Sequence, residues 1–162
     1  MDLIEKAIIE INNQLYLTLA TVDEFQQPWN SPVYFASDKK YTCYWVSEAV
    51  SQHSLNIKNN NKVMAIIFNS MIPHGQGFGV YIQGTAFELD NTQSDEIIHA
   101  IEILSGKIQS SYKPNFDKFL TPLPRRIYKL TPNKVWINTI IEEQEIKVDR
   151  RIDITDYLIN PK

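Results

Sequence analysis

Ser47, Ser51, Gln52, His53 and Ser54 crowd three hydroxyls, an amide and an imidazole into one short stretch. They follow an apolar and aromatic run, Tyr41-Thr-Cys-Tyr-Trp-Val46, that reads as a strand, and they open a poorly amphipathic helix predicted over 51–58. Amides at a helix start, hydroxyl donors and a protonatable imidazole are the parts of an anion site suited to a phosphate ester. The plainer reading of the same residues makes Ser51 an N-cap and His53 a surface side chain.

Other chemistry finds less support. Gly75-Gln-Gly77-Phe-Gly79 precedes a strand, whereas a dinucleotide or P-loop fingerprint needs a helix there, and no Gly-Lys-Ser or Gly-Lys-Thr occurs. It reads as a flexible turn or the border of a ligand pocket. His74 lies in that loop, and His99 lies on the polar side of a helix and is expected to face solvent. Three histidines on separate elements, without carboxylates at ligand spacing, predict no metal site. A Gly-x-Ser-x-Gly elbow is missing, which weakens a hydrolase reading. The single cysteine, Cys43, excludes an internal disulfide and reads as a small buried hydrophobe. Arg125, Arg126, Tyr128 and Trp136 form a basic and aromatic set near the end of the chain. Trp136 shares a strand face with Lys134 and Asn138 and therefore needs a cover, from helices, a second subunit or a flat ligand.

The elements that position these residues follow from periodicity. Leu3, Ile4, Ala7, Ile8 and Ile11 recur at helical spacing behind an Asp2/Glu5 capping box, which predicts a helix over 2–13. Alternation then predicts strands over 15–22, 29–36 and 41–46 joined by tight polar turns, an antiparallel meander. Pro32 inside the second implies an edge or a bulge. The continuous apolar run 63–68 predicts a strand buried on both faces. A long strand over 78–89 carries Gly84 in its middle, a mark of a bulge or a close approach. A helix over 92–104 is stopped by Gly106. The stretch 107–124 reads as irregular, with one helical turn near 117–120. Two strands, 126–130 and 135–141, are joined by a turn at Thr131-Pro-Asn133, and a short helix is expected at 154–158. Strands are not separated one by one by helices, so the fold class is mainly β: an antiparallel barrel of six to seven strands with peripheral helices.

At 162 residues this is one domain, with its core at about 15–141 and a C-terminal extension at 142–162. A net charge of −3 supplies no general attraction for nucleic acid or an anionic membrane. No apolar run is long enough to span a bilayer, and the acidic, helical N-terminus is unlike a secretion signal. A cytoplasmic location is the expectation.

Four segments, in this order, resemble the pyridoxamine 5'-phosphate oxidase-like family of flavin-binding split barrels. They are Leu19-Ala-Thr-Val22 with Pro28 and Ser31-Pro-Val-Tyr-Phe35; Tyr44-Trp-Val-Ser47 with Ser51, His53, Asn56 and Ile57; Gly77 and Gly79-Val-Tyr-Ile82 with Gly84-Thr-Ala86; and Ile127-Tyr-Lys-Leu-Thr-Pro132 with Lys134-Val-Trp136. The resemblance implies a homodimer with flavin mononucleotide (FMN) at the subunit interface. Ser47, Ser51, His53 and Ser54 would hold the phosphate, and Asn30, Ser31, Pro32 and Val33 would follow the isoalloxazine edge. Gln83 would offer its amide, Trp45, Val46 and Gln52 would complete the site, and Trp136 and Arg126 would arrive from the partner subunit. His53 stands where many relatives carry Lys or Arg. The sequence after Trp136, Ile-Asn-Thr-Ile-Ile-Glu-Glu, lacks the basic residues of true pyridoxamine phosphate oxidases, so vitamin B6 oxidation is not expected. The implied activity is a flavin-dependent oxidoreductase acting on a small molecule. The alternatives are a non-catalytic flavin or haem binder, and a dimer whose groove holds another molecule.

Overall fold

The computed structural model describes residues 1–108, 115–120, 122–143 and 146–159. Helix α1 (Leu3–Asn13) is closed at its start by the capping box, with the Asp2 carboxylate accepting from the amides of Ile4 and Glu5. Strands β1 (Tyr16–Val22), β2 (Pro28–Ser37) and β3 (Cys43–Glu48) form the meander, and α2 (Gln52–Asn59) follows. Then come β4 (Lys62–Phe68), β5 (Gly79–Glu88), α3 (Ser94–Lys107), a 3-10 turn (Phe116–Phe119), β6 (Arg125–Glu143), β7 (Ile146–Asp153) and α4 (Thr155–Leu158).

All seven strands join one antiparallel sheet in the order β3-β2-β1-β4-β5-β6-β7, and a further pairing of β3 with β6 closes the first six into a barrel. Inward residues such as Leu17, Leu19, Phe35, Trp45, Ala65, Ile67, Ile82, Val135 and Ile137 fill it. A second, smaller cluster packs α3 through Ile97, Ala100 and Leu104 onto Ala36, Tyr44 and Ile127 on the outside of β2, β3 and β6.

Four expectations are corrected. The two closing strands are one, because Thr131 and Pro132 stay paired with Thr85 and Gly84 on β5 and Asn133 is the extra residue of a register shift opposite Gln83 and Gly84. A Cβ on Gly84 would overlap the Thr131 carbonyl, so the close approach inferred from that glycine is real and is made by the protein's own backbone. The charged tail contains β7, which pairs with the distal half of β6. Helix α3 runs through Gly106 to Lys107 and does not stop at the glycine. Finally, β4 is buried on one face only in the single chain: Val63, Ala65 and Ile67 point inward, while Met64 and Ile66 are half-buried and Phe68 is exposed. The helical turn expected near 117–120 is the 3-10 turn one residue earlier, and 109–114 and 121 of that irregular stretch lie outside the described residues.

Cys43 is completely buried, and burial pushes its thiol up to about 12, which makes it an unreactive core residue. His99 is half-exposed, edge-on to Tyr44. Among the described residues no cluster of His, Cys, Asp and Glu could hold a metal, and no helix is long and apolar enough to cross a membrane.

Candidate functional site

Strands β2 and β3 part company after three residue pairs. Phe35, Ala36 and Ser37 face Trp45, Tyr44 and Cys43, and beyond Phe35↔Trp45 the two strands pair only with their other neighbours. Residues 28–34 of β2 remain bonded to β1, and 46–48 of β3 remain bonded to β6. The result is a wedge walled by two strand edges whose backbone groups have no strand partner. Such groups must be met by water or by a polar ligand. Pro32 sits on the β2 wall, where an incomplete ladder tolerates it, so the edge inferred from this proline is local to the wedge.

Helix α2 lies across the wide end. At one end its Asn56 side chain, fully buried, donates to Thr21 Oγ1 at 2.9 Å, and Thr21 Oγ1 in turn reaches Trp29 O at 3.4 Å. At the other end His53 Nε2 meets Ser47 Oγ at 2.7 Å and Ser51 Oγ at 3.2 Å. Ser51 occupies the N-cap position, yet its hydroxyl does not cap; it bonds His53 and, at 2.8 Å, Ser54 Oγ. The opening amides of α2 are therefore left without a side-chain acceptor. Both halves of the plain reading fail: Ser51 is not a capping side chain, and His53 is half-buried.

Behind this cluster Tyr128 Oη donates to the Glu88 carboxylate at 3.0 Å. Burial pushes the Tyr128 phenol up to about 12, so it keeps its proton. Ser51 Oγ lies between Ser54 Oγ and His53 Nε2, and the serine hydroxyls can each donate or accept, according to the imidazole tautomer. Burial holds the His53 pKa below the ordinary histidine range. The protein by itself thus keeps the imidazole neutral near pH 7, and a bound dianion would draw a proton onto it.

The remaining sequence candidates divide into two groups. Asn30, Ser31, Pro32 and Val33 lie on the β2 wall, with Ser31 Oγ accepting from Trp29 Nε1 at 3.0 Å. Val46 and Ser47 lie on the β3 wall, and Gln52 opens α2 with its amide donating to Asn56 at 2.8 Å. Trp45 is wholly buried, stacked on Tyr128 at 5.7 Å between ring centres, so its indole belongs to the barrel core. Arg126 stands in register with Ser47 in the same chain. Its Nε contacts Glu88 Oε1 at 3.1 Å, and Nη1 contacts the carbonyls of Leu123 and Arg125.

Gln83 and Trp136 lie elsewhere. Cross-strand register sets Asn30, Ala20, Met64, Gln83 and Lys134 in one outward row, and Pro32, Thr18, Ile66, Tyr81 and Trp136 in the next. Four strand spacings separate Pro32 from Trp136, about 19 Å along the sheet. Within one chain, Trp136 and the Ser47–His53 corner occupy different regions. The sequence reading named Tyr128 but missed Glu88, its cross-strand partner on β5. It also missed Asn56 as the buried anchor of α2. A cavity of about 770 Å³ beside α2 has Ser54, Tyr128 and Glu88 in its wall.

A family model described as pyridoxamine 5'-phosphate oxidase matches residues 4–138. The chain belongs to that family. Solved structures agree on the fold. A proposed 5-nitroimidazole antibiotic resistance protein of Bacteroides thetaiotaomicron superposes with a TM-score of 0.69 at 13% identity, over 85% of this chain and 84% of the other. A FAD-binding protein of Mesorhizobium loti gives 0.60 at 19% identity over 85% and 94%. HutZ, the haem storage protein of Vibrio cholerae, gives 0.60 at 16% identity over 83% and 94%. No curated protein matches. The split barrel is thus shared by structures described as FAD-binding and as haem-storing.

Proposed function

We propose that this member of the pyridoxamine 5'-phosphate oxidase family is an FMN-binding homodimer that carries out redox chemistry on a small organic substrate. The observation that carries the reading is the wedge between β2 and β3, with the uncapped start of α2 and the Ser47–His53–Ser51 cluster at its wide end. These residues fit a phosphate ester: hydroxyls that can turn to donate, helix-start amides, and an imidazole that gains a proton beside an anion. The unpaired edge of β2 from Asn30 to Val33 fits the alternating donors and acceptors of a flavin ring. FMN would supply the electron transfer, while the protein holds its phosphate, orients its ring and limits access of water.

The outward rows support the homodimer. Trp136, Tyr81, Ile66 and Met64 form a half-buried face on one chain, flanked by exposed Tyr16 and Phe68. A second copy placed there would cover this face and bring Trp136 and Gln83 to the partner's wedge. Oxidation of vitamin B6 phosphate is not part of the proposal, because the segment directly after Trp136 carries no basic residue until Lys147.

The test is purification followed by spectroscopy and turnover. Yellow protein absorbing near roughly 450 nm, or colourless protein that takes up FMN stoichiometrically, supports the reading. Repeated reduction of the bound flavin by a nicotinamide cofactor, with reoxidation by an acceptor, supports the enzyme over a carrier. Protein that takes up haem but no flavin would overturn it.

A further inference from the structure

The wedge has a second compartment at its apex. Tyr34 and Val46 are the first residues beyond the last β2–β3 pair, and both line a cavity of about 200 Å³ roofed by α3 and the 3-10 turn. Ile101, Leu104 and Phe119 form its apolar walls. An apolar cavity of about 150 Å³ in another protein accepts benzene, so this space suits one six-membered ring with a small substituent.

Two features set the polarity of that substituent. Tyr34 Oη is buried and has no hydrogen-bond partner among the described residues, an arrangement that costs free energy until a partner arrives. Burial also raises the Tyr34 pKa, so the hydroxyl is available as a donor. The charged groups in the lining are Lys118 and Arg125, and no carboxylate lines the cavity among the described residues. Glu48, paired across the strands from Arg125, and Asp117, beside Lys118 on the 3-10 turn, are the nearest acids along the chain and moderate this field without entering the lining.

We propose that the cavity between α3 and the diverging ends of β2 and β3 binds a monocyclic aromatic carboxylate, with the ring among Val46, Ile101, Leu104 and Phe119 and the acid toward Tyr34 and the Lys118/Arg125 rim. As the seat of the redox substrate it rests on the proposed flavin site; as a binding cavity it stands on the residues above.

Ligand-observed NMR on the purified protein, with benzoate and benzylamine as probes and with and without added FMN, tests this. Saturable benzoate binding is expected, at least about tenfold tighter than benzylamine, the selectivity that one favourable charged contact confers. Ile108→Trp, which places an indole in the mouth from an exposed position, is expected to abolish it. Tyr34→Phe should weaken it by about fivefold, the loss of one hydrogen bond. Absent saturation, equal binding of the two probes, or benzoate affinity unchanged in both folded variants overturns the proposal. FMN uptake without benzoate binding overturns this inference alone. Benzoate binding without FMN uptake supports the cavity and overturns the flavin reading.

Discussion

Ser47 Oγ on β3 lies 2.7 Å from His53 Nε2 on α2, a contact that joins the penultimate residue of a barrel strand to the first turn of the helix after it. In the proposed FMN site this contact would make phosphate binding pH-sensitive. Burial depresses the His53 pKa, so the neutral imidazole is favoured in the folded protein, and the stability tied to that neutral form is lost as pH falls below the unfolded value. Anion binding acts in the opposite direction, because it favours the protonated ring. FMN affinity is therefore expected to rise as pH falls from about 8 to about 6.5, until the second phosphate pKa near 6 reduces the ligand's charge. His53→Ala should flatten that profile and weaken binding by at least about 1 kcal/mol. Fluorescence titration across pH decides it; a wild-type dissociation constant indifferent to pH would remove His53 from the site.

Tyr128→Phe keeps the ring stacked on Trp45 and deletes the hydroxyl that bonds Glu88. A loss of about 1–2 kcal/mol is expected in chemical denaturation, for one buried network bond. A folded variant as stable as wild type would show that the Tyr128–Glu88 bond makes no net contribution.

Glu10 points its carboxylate into the core side of α1, with one oxygen buried and unpartnered among the described residues. Burial raises its pKa more than hydrogen bonds from Gln14 and the Asn69 backbone lower it. A carboxyl with a raised folded pKa costs stability as pH climbs from the unfolded value through the folded one. Glu10→Gln is expected to equal or exceed wild type in stability at pH 7–8, with the difference shrinking toward pH 4. A variant less stable than wild type at pH 8 would contradict this.

Gly84→Ala forces a methyl group onto the Thr131 carbonyl and to within 2.7 Å of Leu130 Cδ1. The expected cost is about 3 kcal/mol, at the upper end for overpacking a core. Thermal unfolding measures it, and a loss below about 1 kcal/mol would mean that β6 shifts freely at its bulge.

Ile66→Arg plants a charge in the centre of the outward rows, paired between Thr18 and Tyr81. Sedimentation should show a dimer for wild type and a folded monomer for the variant, with FMN affinity lost alongside. A variant that stays dimeric would place the subunit contact elsewhere on the barrel.

Much of the fold was readable along the chain. The capping box of α1 and the three-strand meander rest on near neighbours in the chain, where turn chemistry and periodicity act, while Pro32 and Gly84 signalled an edge and a bulge through their own backbone limits without naming the partner strand. The failures share a cause. Thr131-Pro-Asn133 has turn composition, but β5 holds it in an extended ladder; β7 has an alternating charged pattern that only a neighbouring strand could stabilise. Local propensity was overruled by pairing.

The site divides in the same way. Residue order alone placed hydroxyls and an imidazole at a strand-to-helix junction, because both elements and the turn between them are local. What only the tertiary structure decided is the wedge and the Tyr128–Glu88 pair behind it. The wedge depends on β3 parting from β2 after Trp45 while it stays paired with β6, as Ser47 does with Arg126, and the pair depends on β5 lying beside β6, so both rest on contacts between segments far apart in the chain. Hydrogen-bonding edges do not encode their partners in the side-chain pattern, and the choice among possible partners is made when the barrel closes around its core.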